Sequence, residues 1–229
     1  AVNSHGITFM VAGDEADIWV CENEIFDTIG MGVSTKNGSS HIHVVGNYFH
    51  DLGTGVHTSN YRCDWRGCDE HLFPGGSYVV RENLFEDCGR GVAIARNDDV
   101  GEDERVGPSR IFNNVFVDTQ SAVETLRFSS QPVVRNNISL GSGHGLYFIA
   151  GGETTWPDFY IDEGFDSDFN VFFTSDAPVY VYANWSGTEE GLSLADYQSR
   201  FGGDANSLAS DPALGDLFAP SPGSNVVGT

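Results

Sequence analysis

The sequence predicts an all-β chain made by stacking one short unit on the next, and three observations predict it. First, the stretch Cys21-Glu22-Asn23-Glu24-Ile25-Phe26-Asp27 recurs. It returns as Gly46-Asn47-Tyr48-Phe49-His50-Asp51, as Glu82-Asn83-Leu84-Phe85-Glu86-Asp87 and as Asn113-Asn114-Val115-Phe116-Val117-Asp118. Weaker copies follow at Asn136-Asn137-Ile138-Ser139 and Phe169-Asn170-Val171-Phe172. Second, a glycine corner follows most copies: Gly30-Met31-Gly32-Val33, Gly53-Thr54-Gly55-Val56, Gly89-Arg90-Gly91-Val92 and Gly143-His144-Gly145-Leu146, with Ser121-Ala122-Val123 in the fourth unit. Third, the units show no helical apolar period, only short alternating runs broken by Gly and Asn.

Each unit therefore reads as a strand, an Asn turn, a short strand, a Gly corner and another strand. Such a unit cannot bury its apolar face alone; stacking pairs every strand with its equivalent above and below, about 4.8 Å away. Like residues then meet like. An Asn at each turn can pass hydrogen bonds to the Asn of the next unit, forming a ladder. Asn23 to Asn47 spans 24 residues and Asn114 to Asn137 spans 23, the size of a bare unit. The other intervals, 36, 31 and 33, leave room for inserted loops.

The Asn-x-Phe turns and Gly-x-Gly-Val corners resemble those of right-handed parallel β-helices of the pectin-lyase-like superfamily. That group includes polysaccharide lyases, some glycosidases, alginate epimerases and NosD-type repeat proteins. The tail resembles the end of many secreted bacterial members through Ser193-Leu194-Ala195-Asp196-Tyr197, Ser210-Asp211-Pro212 and Ser221-Pro222-Gly223-Ser224. The resemblance implies a right-handed parallel β-helix solenoid with an Asn ladder, three inserted loops and an irregular C-terminal cap carrying one short helix. The coils would occupy 1–183, the first one truncated, and the cap 184–229. Such a fold hosts many activities, so function has to be read from sites.

Composition narrows the partners. The chain has 33 acidic and 11 basic residues, a formal charge of −22, and Lys36 is its only lysine. Nucleic acid and anionic membrane surfaces are poor partners for such a surface. The charge reads as a solvated coat, as in marine or salt-tolerant proteins, ahead of a set of calcium sites. No run of 18 or more apolar residues predicts a membrane span, so no membrane insertion is expected. The first residues fit the strand after a Gly corner, Gly6-Ile7-Thr8-Phe9. An uncapped first coil would expose strand edges, so upstream coils or a partner chain are expected to cover that end. Cys63 and Cys68 flank a loop; a disulfide there suits an exported protein, and a zinc site with His71 is the rival. Cys21 and Cys88 are expected as free, half-buried thiols. The resemblance to secreted bacterial proteins, together with the loop cysteines, implies a secreted or cell-surface bacterial location.

The insertions begin at one phase, a few residues after each corner strand, which places them on one side of a stack. Alternation predicts an outward column Ser34, His57, Ala93, Glu124, Tyr147, Tyr180 and a second, Lys36, Ser59, Ala95, Leu126, Ile149, Tyr182. Arg96 and Arg127 lie just beyond. These residues suggest a groove for an acidic polysaccharide. β-Elimination of a uronate needs a base, a cation on the carboxylate and an acid at the leaving oxygen. His57 or Lys36 is the candidate base, Tyr147 the acid, Arg96 or Arg127 the carboxylate clamp; Tyr180, Tyr182 and Trp156 are candidate sugar-stacking rings. Glu124, Asp98 and Asp99 are the carboxylates a hydrolase could use, but no Asp pair on adjacent coils stands out, so a lyase is favoured over a glycoside hydrolase if the chain is catalytic. Asp98, Asp99, Glu102 and Asp103 could hold calcium, against the plainer reading of a solvated acidic loop. His41 and His43 form a weak metal pattern, for which stacking of His43 near Trp19 and Val79 is a sufficient alternative. A non-enzymatic surface or adhesion module is the competing function.

Overall fold

The computed structural model describes residues 5–10, 17–36, 41–60, 78–96, 109–126, 132–150, 165–173, 177–183 and 188–213. They form two sheets and one helix. The six-stranded sheet holds the strand that opens each unit: β2 (Ile18–Cys21), β4 (Ile42–Val45), β6 (Tyr78–Arg81), β9 (Arg110–Phe112), β12 (Val133–Arg135) and β15 (Asp166–Asp168). All its pairings are parallel and in phase, with Val20, Val44, Val80, Ile111, Val134 and Ser167 in one column.

The strands after the Asn turn and after the Gly corner belong to a single 12-stranded sheet. Two 13-residue strands, β3 (Glu24–Lys36) and β5 (Tyr48–Asn60), run through the corner without a break. On the turn side β5 continues into β7 (Leu84–Glu86), β10 (Val115–Val117), β13 (Ile138–Leu140) and β16 (Val171–Phe173). On the corner side it continues into β8 (Arg90–Arg96), β11 (Ser121–Leu126), β14 (His144–Ala150) and β17 (Val179–Ala183). β1 (His5–Met10) pairs with the corner half of β3, and β18 (Thr188–Leu192) closes the far edge antiparallel to β17.

This connectivity corrects the fold class expected from the sequence. A right-handed β-helix solenoid implies separate strand faces in each coil. Here the two faces flanking the corner are one sheet, and the described residues make a two-sheet fold of stacked parallel strands. The two faces join through β3 and β5, which run past the corner with a register shift between Thr28 and Met31, while in the later units the strands stop on either side of it. The corner glycines let successive backbones approach closely. A Cβ on Gly53 would lie 2.5 Å from the Ile29 carbonyl oxygen, and one on Gly89 would lie 2.6 Å from that of Gly53. The C-terminal region is also less irregular than expected, since β18 extends the sheet before α1 (Leu194–Phe201) begins. Ser193 caps α1 by accepting from the Asp196 amide at 3.1 Å, and Gly202 ends it at φ 70°. The three segments expected as inserted loops lie outside the described residues.

The Asn column is continuous. In each interior rung the next Asn Oδ1 accepts from both the backbone N–H and the Nδ2 of the Asn before it: Asn47 to Asn83, Asn83 to Asn114, Asn114 to Asn137 and Asn137 to Asn170, all at 2.9–3.1 Å. Each Nδ2 also reaches the carbonyl of the preceding unit's opening strand, as Asn83 does with Val44 at 2.9 Å. The residue before each Asn turns the chain in the left-handed region: Glu22, Gly46, Glu82, Asn113, Asn136 and Phe169. The core lies between the two sheets, where Phe49, Phe85 and Phe116 stack with centroids 4.8 and 4.9 Å apart. The second glycine of each corner seats the next unit's ring: a Cβ on Gly55 would fall 2.5 Å from Phe85, and one on Gly91 would fall 2.4 Å from Phe116.

Candidate functional site

The expected columns on the corner strands are in register. Ser34, His57, Ala93, Glu124, Tyr147 and Tyr180 pair in sequence across β3, β5, β8, β11, β14 and β17. Ser59 pairs with Ala95, and Leu126, Ile149 and Tyr182 align beyond them. Their exposure is not as expected. Ser34, His57, Ala93 and Glu124 are all buried, His57 and Glu124 at 7% and 4%. Tyr147 is partly exposed. Alternation assigns a side chain to one face of a strand, but it cannot tell whether that face is open. The expectation that Ser34, His57, Ala93 and Glu124 are exposed is corrected: these four positions of the column are buried.

The column also separates the residues assigned to catalysis. His57 and Glu124 flank Ala93, two strand spacings or about 10 Å apart. Lys36 and Arg96 sit at the ends of β3 and β8, with only their backbone described. The same holds for Tyr180 and Tyr182 in β17. Arg127, Trp156, Asp98, Asp99, Glu102 and Asp103 lie outside the described residues, as do Cys63, Cys68 and His71. Among the described residues no group of His, Cys, Asp or Glu is arranged to hold a metal. Cys21 and Cys88 are free, but neither is half-buried: Cys21 is exposed, while Cys88 is buried and its thiol is pushed up to about 11 chiefly by that burial. His41 precedes β4 at φ 59°, so it does not share a strand face with His43. His43 stacks on Trp19 at 4.0 Å and 6°.

The structure supplies a partner that the sequence did not suggest for Glu124. Arg90 is the middle residue of the Gly89-Arg90-Gly91 corner, in a column with Met31, Thr54, Ser121 and His144. Its Nε lies 2.9 Å from Glu124 Oε2, with the Arg90 side chain 44% exposed and that of Glu124 5% exposed. Burial pushes the Glu124 carboxyl above the ordinary carboxylate range, and the Arg90 charge and hydrogen bond pull the other way. Glu124 Oε1 is buried with no hydrogen-bond partner. The only signal in the sequence was a charge in a corner slot that holds Met or Thr in the preceding units.

Arg90 faces an open groove of about 300 Å³ along the corner. Ile29, Met31, Thr54, Arg90 and Gln120 line it with the glycines Gly30, Gly53 and Gly89. In a chain with 33 acidic residues, this lining contains none.

A second cluster lies on the Asn-turn strands. His50 Nδ1 is 2.9 Å from Asp51 Oδ2 and Nε2 is 3.2 Å from Glu24 Oε1. Its ring stacks between Phe26 and Tyr48, at 4.9 and 4.5 Å. The hydrogen bond to Asp51 is the main cause raising the His50 pKa, and burial opposes it. The hydrogen bond that the Tyr48 hydroxyl donates to Glu86 leads the causes raising the phenol to about 12.

Comparison with known proteins gives no match to a family model, a curated protein or a solved structure. The pectin-lyase-like assignment is overturned by the sheet connectivity, in which both faces flanking the corner belong to one sheet. The polysaccharide-cleaving function it implied is not carried further, since the sheet connectivity differs and two of the residues assigned to it, His57 and Glu124, are buried. The competing adhesion-module reading rested on the same fold and falls with it.

Proposed function

We propose that the corner groove is a binding site for a small carboxylate ligand, with Arg90 as its anchor. The observation that carries this is the Arg90–Glu124 pair: a buried carboxylate fixes a half-exposed guanidinium at the edge of a groove without acidic lining. A guanidinium held through Nε keeps N–H donors in a planar fork that matches a carboxylate. Thr54 and Gln120 add a hydroxyl and an amide, and Ile29 and Met31 supply apolar wall. A dianion is a poorer fit, because a formal charge of −22 repels it about twice as strongly as a monoanion.

The test uses benzoate as a planar carboxylate probe, followed by backbone amide shifts in NMR. Saturable shifts are expected at residues 29–31, 53–54 and 89–90. Arg90→Lys keeps the charge, loses the fork and should weaken binding about tenfold, or roughly 1.4 kcal/mol. Glu124→Gln keeps an acceptor for Nε while removing the opposing charge, and should tighten it. Shifts that are absent, or unchanged in Arg90→Lys, would refute the site.

A further inference from the structure

The Arg90–Glu124 pair is lopsided. Glu124 Oε2 takes the Arg90 Nε at 2.9 Å, while Oε1 is buried with no hydrogen-bond partner among the described residues. An ionised carboxylate has about four acceptor sites to fill. Here one oxygen has a charged donor, the other has none, and the side chain is cut off from solvent. A charge held this way is poorly stabilised. The direction of the Glu124 pKa agrees, since burial raises it more than Arg90 lowers it.

Arg90 connects this carboxylate to the groove. It stands opposite Ser121 on β11, beside Gln120 of the lining, and its side chain is half-exposed. The neighbours of Glu124 in the sheet are Ala93 on β8 and Tyr147 on β14. His57 lies in the same column one strand beyond Ala93, about 10 Å away. His144 opens β14 opposite Ser121, with Nδ1 3.1 Å from the Ala177 carbonyl oxygen and its ring 5.5 Å from that of Tyr147. Among these groups, Arg90 is the charge that acts on the Glu124 carboxyl.

We propose that Glu124 is a positioning residue that makes ligand capture at Arg90 proton-linked: as an anion settles on the guanidinium, a proton settles on Glu124 Oε1. The inference rests on the reading of the corner groove as a carboxylate site. Two carboxylates then share one guanidinium, and like charges that close disfavour each other's ionised form. The ligand keeps water on its open side, whereas Glu124 is buried, so Glu124 is the group that neutralises. A proton on Oε1 leaves Oε2 to accept from Nε. The guanidinium fork therefore keeps its orientation and loses its counter-charge. With Glu124 ionised the pair is neutral; with Glu124 protonated it carries one positive charge. Affinity for an anion accordingly rises as pH falls through the Glu124 titration, until the ligand's own carboxyl protonates. The site captures its ligand in mild acid and releases it as pH rises.

The test is the benzoate titration repeated from about pH 7.5 to about pH 5, where a carboxylate probe stays ionised, on the unaltered chain and on Glu124→Gln. The dissociation constant of the unaltered chain should fall about tenfold over that range, the effect of a Glu124 pKa displaced by about one unit on binding. Glu124→Gln should bind tightly throughout, with only the smaller dependence that the fading overall negative charge imposes on both proteins. A dissociation constant that does not move with pH would overturn the proton linkage and leave the groove as a site. An equal change in Glu124→Gln would overturn Glu124 as its source in favour of a histidine, whose ordinary titration lies in the same range. No binding by either protein at any pH would refute the groove, and the linkage with it. The carboxyl carbon shift of Glu124 in the unaltered chain gives a readout that does not depend on the variant folding. Benzoate should move its titration to higher pH, and an unmoved titration would overturn the proposal.

Discussion

One residue type carries most of the order between units, and its contribution depends on position. Asn83 is buried; it accepts from the Asn47 backbone and side chain and donates to Val44, Arg81 and Asn114. Replacing it by Ala strands the buried Asn47 N–H and empties two carbonyls of a partner. A buried donor left unmade costs about 1–3 kcal/mol, so Asn83→Ala should cost about 3 kcal/mol in denaturant unfolding. Asn23 is exposed and has a rung on one side only. Water can replace what Asn23→Ala removes, and the cost should be about 1 kcal/mol. Equal losses at the two positions would mean that the column is decorative and that strand pairing alone sets the register. The Asn positions were legible in the sequence because six copies share a phase. The Arg90–Glu124 pair was not, because it joins residues on neighbouring strands that no local spacing connects. The burial of His57 and Glu124 was not legible either, since a period-two pattern says which way a side chain points and nothing of what lies above it.

At the scale of the element, the corner and the turn are one device. The second glycine of a corner takes the Phe of the following unit: Gly32 meets Phe49, Gly55 meets Phe85, Gly91 meets Phe116 and Gly145 meets Phe172. The fourth unit breaks both halves of the rule together. Its corner carries Ala122, and the ring position that follows is Ser139, in register between Phe116 and Phe172. Ala122 and Ser139 are both buried, and the Ser139 hydroxyl has no hydrogen-bond partner. In the sequence the two departures stand apart, whereas the stack joins them as a matched pair. Ser139→Phe alone should drive a ring into the Ala122 methyl and destabilise by about 2 kcal/mol. Ala122→Gly alone should cost about 1 kcal/mol in backbone freedom. The double variant restores the arrangement of the other units and replaces an unpaired buried hydroxyl with an apolar ring. A double-mutant cycle by thermal or denaturant unfolding should give a favourable coupling of about 2 kcal/mol. Additive losses would show that the glycine seat is not what selects the ring.

At the scale of the whole molecule, the charge opposes the stack that the asparagines and rings hold together. A formal −22 over 229 residues makes neighbouring units repel, because parallel in-phase stacking brings equivalent side chains close to one another. Among the described residues, the Arg–carboxylate pairs Arg81–Glu82, Arg135–Asp166 at 2.6 Å and Arg200–Glu190 at 2.9 Å are partly exposed. Exposed pairs of this kind contribute about 0–1 kcal/mol each, less than the like-charge repulsion they would have to offset. Salt shortens the reach of both, from about 30 Å at 0.01 M to about 3 Å at 1 M, and the repulsion has more to lose. Raising sodium chloride over that range should therefore raise the thermal midpoint by about 5 °C, the effect of roughly 1–2 kcal/mol in a chain of this size. Choline chloride should act equally, since screening does not depend on the cation. Calcium at matched ionic strength separates the two readings of the acidity: a further rise, lost when Asp98, Asp99, Glu102 and Asp103 are neutralised together, would assign those carboxylates to an ion, and no further rise would leave them as part of the solvated coat. A midpoint that falls with sodium chloride would mean that the ion pairs, and not the repulsion, dominate the surface.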